Sequence, residues 1–329
     1  MISKINVAAI GVGHLGQHHA RIYSEHPDCN LIGVVDTDPA QAETIAHKYQ
    51  AQAFHDYRDV VGRVDAVSIA TPTETHYEIA KYFLSQGIHV LLEKPISNII
   101  AEAQELVSLS HEKNLILQIG HLERFNAALQ EAKKLISNPG FIETSRLGSF
   151  SPRSLDIDVI LDLMIHDIDI VLSLVKSPIT SISAVGVPVL TDKVDIANAR
   201  LIFESGCVVN MTASRVSLEK TRKIRIFQKQ LYISVDYATQ NLFVCRPVPP
   251  TPENKLAYPS ITKDNVTVQP GEPLKAEIHS FVQCIATNSQ PLVTAEDGLT
   301  ALGIAYEILN HMKPTAIPGN QHETTGPSN

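Results

Sequence analysis

Residues 161–170 read LDLMIHDIDI, a helix-like run of Leu, Met and Ile that carries three carboxylates and an imidazole. Residues three and four apart are helix neighbours, so Asp162, His166 and Asp169 fall on one face. A surface helix separates its charges from its apolar stripe, so that face is either a solvated stripe or a site. As a stripe, Asp162 and His166 form a helix pair worth a few tenths of a kcal/mol. As a site, they pair a group that titrates near neutrality with a carboxylate that can orient it or a substrate hydroxyl. The spacing also suits a divalent ion, but no third ligand stands nearby and no cysteine pair exists, so no metal is expected. Asp167 and Asp169 are read as serving local structure.

A second set of residues lies near the start of the chain. INVAAIGVGHLG places Gly11, Gly13 and Gly16 in the pattern G-x-G-x-x-G between a strand and a helix, the context that makes it a dinucleotide fingerprint. Gly11 allows the tight turn, Gly13 admits a pyrophosphate, and Gly16 lets the helix pack on the strand. The amides near His14 and Leu15 open the helix toward the phosphates. Asp36, twenty residues after Gly16, ends the next strand where a carboxylate binds both ribose hydroxyls. A 2′-phosphate there would meet Asp36 with a repulsion on the order of 4 kcal/mol per unit charge. No Arg or Lys at positions 37–40 offsets it, so NAD is expected rather than NADP. Asp38 reads as the cap of the helix after Pro39. ATPTETH, ending another strand, lines the same crevice with Thr71, Pro72 and, at the next helix start, His76. In IHVLLEKPIS an apolar strand runs into Glu93-Lys94-Pro95. Pro95 cannot continue a central strand, so Lys94 leaves the sheet on the rim that carries the glycine turn.

The elements that must position these residues fall into two textures. Up to Gly120, short β-rich runs (INVAAI, LIGVVD, DAVSIA, IHVLLE, LILQIG) alternate with helical segments near 15–31, 39–50, 74–86 and 99–113. That alternation predicts a doubly wound parallel sheet. Beyond it come a helix over about 121–137, the strand FIETSRLGSF, and the helix of LDLMIHDIDI, running to about Val175. Consecutive β-type runs follow (ITSISAVGVPVL, DIANARLIFES, CVVNMTAS, RKIRIFQ, LYISVD, NLFVC), which predict one mostly antiparallel sheet. A Pro-rich loop and two helices, near 273–287 and 296–312, complete the pattern. The expected domains are residues 1–120, a Rossmann domain, and 121–312, an α+β domain, with a disordered tail over 313–329.

With 329 residues, 44% hydrophobic, the chain has ample material for two cores. A net charge of -8 argues against nucleic acid, which selects clustered Lys and Arg, and against anionic membrane surfaces. No apolar stretch approaches the ~20 residues of a membrane helix, and MISKINVAAIGVG does not read as a signal peptide. Cys29, Cys207, Cys245 and Cys284 show no paired spacing and read as free thiols of a cytoplasmic protein.

Taken together, GVGHLGQHHA, ATPTETHYEIA, GIHVLLEKPIS, QIGHLERF, LDLMIHDIDI and the closing EIHSFVQCI…PLVTAEDGLTALGIAYEI resemble the Gfo/Idh/MocA family of oxidoreductases, in the family's order, from about residue 4 to 312. The resemblance implies a Rossmann domain joined to a domain with an open, mostly antiparallel sheet. It implies an NAD(P)-dependent oxidoreductase acting on the CH–OH group of a sugar, cyclitol or nucleotide sugar. Lys94 would meet Asp162 and His166 around a secondary alcohol, with Glu93 and Lys94 also flanking the cofactor. Family members divide proton transfer differently between Lys and His, and that choice stays open here.

SPRSLDIDVILDLMIHDIDI departs from the common G-G-G-x-L-x-D-x-G-x-H form, with Asp158, Val159 and Ile160 at the usual glycines and Met164-Ile165 for Gly-Cys. It is similar to the branch containing UDP-N-acetylglucosamine 3-dehydrogenases. A diphosphate substrate calls for cations, with Arg124 and Arg153 foremost and Arg146 and Arg215 behind them. Glu123 in HLERFN stands where a second cation or an aromatic is usual. A free-sugar or cyclitol dehydrogenase is the alternative. A non-catalytic NAD- and sugar-binding regulator is the rival of another class, and such proteins usually lack the Lys or the His. A bare sheet face predicts a homodimer or homotetramer.

Overall fold

The computed structural model describes residues 4–150, 157–248 and 261–312. Arg153, most of the Pro-rich segment and the 313–329 tail lie outside the described residues. The first body is a six-stranded parallel sheet in the order β3-β2-β1-β4-β5-β6. Its strands are β1 (Ile5–Ile10), β2 (Cys29–Val35), β3 (Gln52–Phe54), β4 (Ala66–Ile69), β5 (His89–Glu93) and β6 (Leu117–Gly120). The helices between them are α1 (Gly16–Glu25), α2 (Pro39–Tyr49), α3 (His76–Ser85) and α4 (Ile100–Glu112). Val7, Ala8, Val67, Ile69, Val90 and Leu92 are buried, as expected of strands covered on both faces.

The elements depart from expectation in several places. The first helix stops at Glu25 rather than near 31, because Pro27 holds His26 in extended backbone (φ -78, ψ 125). The three-residue β3 was not foreseen. The helix expected over 121–137 is a 3-10 turn (Leu122–Phe125) followed by the short α5 (Ala127–Lys133). Asn126 divides them, its side chain accepting from the Ala128 amide at 3.1 Å as an N-cap.

The second body is an eight-stranded sheet in the order β14-β13-β12-β11-β7-β10-β9-β8. Its strands are β7 (Pro139–Leu147), β8 (Ile179–Val187), β9 (Ile196–Phe203), β10 (Val208–Ser214), β11 (Thr221–Gln228), β12 (Leu231–Asp236), β13 (Asn241–Pro247) and β14 (Ile261–Val266). Only β7 and β10 pair in parallel. Along β9, Ala197, Ala199, Leu201 and Phe203 are buried and the residues between Ala197 and Phe203 exposed, so one face is core. That face packs on α5, α6 (Ile165–Leu174) and the last helix.

α7 (Pro273–Thr287) and α8 (Ala295–His311) return to the first body. Leu274, Ile278, Phe281 and Val282 of α7 pack with Ile5, Val7, Ile22 and Tyr23. On α8, Gly298 sits against Ile119: a Cβ there would come within 2.7 Å of it. A bridge joins Gln118 to Thr294, the residue that starts α8 with a capping box through Asp297. The two sheets lie on either side of residue 120, while the last two helices, expected with the second domain, pack on the first body. Their apolar faces complete the core of the parallel sheet.

Candidate active site

The carboxyl ends of β1, β2 and β4 open onto a cavity of about 410 Å³ lined by Gly11, Gly13, Asp36, Thr71, Pro72 and Thr75, among others. Gly11 has φ 77, and a Cβ there would stand 2.7 Å from the Thr71 methyl. At Gly16 a Cβ would lie 1.7 Å from the Gly11 carbonyl oxygen. At Gly13 it would meet nothing within 4 Å, so the turn faces open space where a phosphate chain could approach. Leu15 precedes the first helical residue and has no capping side chain, and among the described residues no side chain is bonded to the amides after His14, which suits them to a ligand. The Asp36 carboxylate accepts from the Val12 amide at 2.9 Å and the Asp38 amide at 3.0 Å. Two of its roughly four lone-pair sites remain for a ribose diol. These residues fit a dinucleotide. His55, Tyr57 and Thr37 also line the cavity and were missed. His55 and Tyr57 follow β3, too short to leave a periodic signal.

Two residues expected at the cofactor have other occupations. His76 is buried, its Nδ1 2.8 Å from the Pro95 carbonyl and its Nε2 3.0 Å from the Thr71 carbonyl. It ties the loop after β4 to the loop after β5 and so shapes the rim from behind. Glu93 is buried too, with Oε1 3.2 Å from His19 Nε2 of α1.

Lys94 crosses between the two bodies. Its Nζ donates to the Asp162 carbonyl at 2.8 Å and stands 3.5 Å from Asp162 Oδ1. Asp162 sits in a single π-helical turn, Ile160–Met164, that leads into α6. Such widened turns recur at functional sites. His166 follows in the first turn of α6, and among the described residues its buried Nδ1 has no hydrogen-bond partner. Burial pushes its pKa well below the usual histidine range, and the positive charges of Lys94 and Arg146 push the same way. The imidazole is therefore neutral at pH 7, the form that can accept a proton. His121 stands edge-on to it, ring centroids 6.3 Å apart.

The expected arginines divide sharply. Arg124 is buried, bidentate to Asp169 (2.8 and 3.0 Å) and 3.1 Å from Asp297 of α8. Arg146 is buried between Asp167, at 3.1 Å to each oxygen, and Glu123, at 3.1 Å. Both are thus structural ties rather than free cations, which corrects the expectation for a diphosphate. Arg215 donates to the Ile157 carbonyl at 2.5 Å and lies 3.7 Å from Asp195. It does line a second cavity, of about 300 Å³, with Asp162, Leu163, Gly148, Lys220 and Arg222.

With this geometry in view, the comparisons with known proteins decide the family. Residues 5–121 match the oxidoreductase family with an NAD-binding Rossmann fold, and residues 141–233 match the Gfo/Idh/MocA C-terminal domain. The chain belongs to the Gfo/Idh/MocA family. It is an oxidoreductase with the family's two-sheet architecture. It is 36% identical to the UDP-N-acetylglucosamine 3-dehydrogenase of Acidithiobacillus ferrooxidans, over 92% of this chain and 96% of that protein. The solved structure of that dehydrogenase superposes with a TM-score of 0.88, covering 95% and 98% of the two chains. Inositol 2-dehydrogenase of Rhizobium meliloti is 25% identical over 92% and 94%. Levoglucosan dehydrogenase, solved with NADH and levoglucosan, shares the fold at 19% identity and a TM-score of 0.84, covering 94% and 97%.

Proposed function

We propose that the protein is an NAD-dependent dehydrogenase that oxidises the 3-hydroxyl of a UDP-N-acetylhexosamine. The observation that carries the reading is the meeting of Lys94, from the nucleotide-binding body, with Asp162 beside a neutral His166 from the other. NAD, when bound, supplies the acceptor for the hydride that leaves the carbinol carbon. Lys94 holds the hydroxyl oxygen and stabilises the negative charge that develops on it. His166 takes the hydroxyl proton. Asp162 orients a substrate hydroxyl and supports His166 once it is protonated. Asp36 favours NAD, because a 2′-phosphate would face its carboxylate at close range.

The nucleotide sugar is supported by the 36% identical relative, which acts on UDP-N-acetylglucosamine by its name. A cyclitol is the second reading, supported by the inositol dehydrogenases among the relatives. The test is NADH absorbance near 340 nm with NAD and UDP-N-acetylglucosamine, an aminotransferase consuming the ketone. Turnover of myo-inositol without turnover of the nucleotide sugar would reverse the order. The four unpaired thiols suit a reducing, cytoplasmic setting. The open sheet face is the contact of a homodimer or homotetramer.

A further inference from the structure

We infer that Arg222, at the start of β11, and Lys220, just before it, form the anion subsite that holds the diphosphate of the substrate. The inference rests on the nucleotide-sugar reading above and names the residues it needs. Asp162 belongs both to the Lys94 meeting point and to the 300 Å³ cavity, so a ligand with its reacting hydroxyl at Lys94 extends into that cavity. The volume is at the low end for ligand sites and suits part of a nucleotide sugar. Arg222 of β11, which lines the cavity, is the register partner of Arg146 of β7, which does not. Arg146 is neutralised by Asp167 and Glu123. Arg222 and Lys220 have no carboxylate within ion-pair distance among the described residues, and both face the cavity. Arg222 also lies near enough to His166 for its charge to act on the imidazole. Two uncompensated cations beside the reacting centre match the two negative charges of a diphosphate, and a guanidinium can grip phosphate oxygens with two donors at once.

The test uses the full chain saturated with NADH, which fills the glycine turn. UDP and uridine are titrated by calorimetry against wild type, Arg222→Ala, Lys220→Ala and the double variant. UDP should bind more tightly than uridine, and each substitution should weaken UDP by roughly tenfold or more while leaving uridine and NADH binding unchanged. Unchanged UDP affinity in the double variant, or UDP no tighter than uridine in wild type, overturns the subsite. Steady-state KM for UDP-N-acetylglucosamine separates the two claims. If wild type turns the sugar over and the double variant keeps its KM, the subsite fails and the function stands. If UDP behaves as expected but the sugar is not oxidised, the function fails and the subsite stands.

Discussion

His166 combines three conditions that a general base needs. It is held half-buried, its ring is kept neutral by desolvation and by Lys94, and its buried Nδ1 is not engaged by another group among the described residues. Replacing it with Ala should lower kcat by about 10²–10⁴-fold while NADH binding, followed by fluorescence quenching, stays at the wild-type level. A variant that keeps its kcat would pass the proton-accepting role to Lys94. The depressed pKa sets a second expectation. In the free enzyme kcat/KM should hold its plateau from pH 8 to about 6.5 and decline only in more acidic solution. An acid limb centred at or above 6.5 contradicts the neutral imidazole. The same shift acts on stability: below about pH 6.5 the unfolded chain binds a proton that the native site resists, so this group destabilises the fold as pH falls.

Between the strands and helices, the buried arginines tie elements that lie far apart in the chain. Arg146 of β7 joins Asp167 of α6 and Glu123 of the turn after β6; Arg124 joins α6 to α8. Removing one partner of such a group leaves the others charged and unpaired, so Arg146→Met should cost about 3–5 kcal/mol in urea unfolding. A loss below 1 kcal/mol would mean that water reaches Asp167 and Glu123. These ties also explain what a sequence can and cannot disclose. The glycine turn, Asp36, Lys94 and the Asp162–His166 pair are legible because each is a short local pattern attached to a strand or helix. Arg124 and Arg146 are legible only as cations; the carboxylates that claim them come from other segments. Arg222 hides for the opposite reason, since RKIRIFQ reads as an ordinary strand with solvated charges. β3 is too short for its periodicity to register, and the π turn has no compositional mark.

At the scale of the molecule, the second sheet has one face covered by helices and one that carries Phe141, Phe227, Tyr232 and Phe243 across four neighbouring strands, adjacent ring centroids 4.9–6.4 Å apart. We propose that this aromatic band is the contact between subunits of an oligomer. Phe227→Asp should shift light-scattering mass to that of a monomer while circular dichroism is unchanged; a wild-type chain that is already monomeric would refute the assembly. The course of the backbone has one more consequence. The polypeptide leaves the parallel sheet at Gly120 and comes back to it at Pro273. A fragment cut at Gly120 should bare Val7, Tyr23 and Ile119, which α7 and α8 cover from beyond the cut, and should precipitate on expression, and because α8 also packs on α6 and β8 neither half has a core closed without the other.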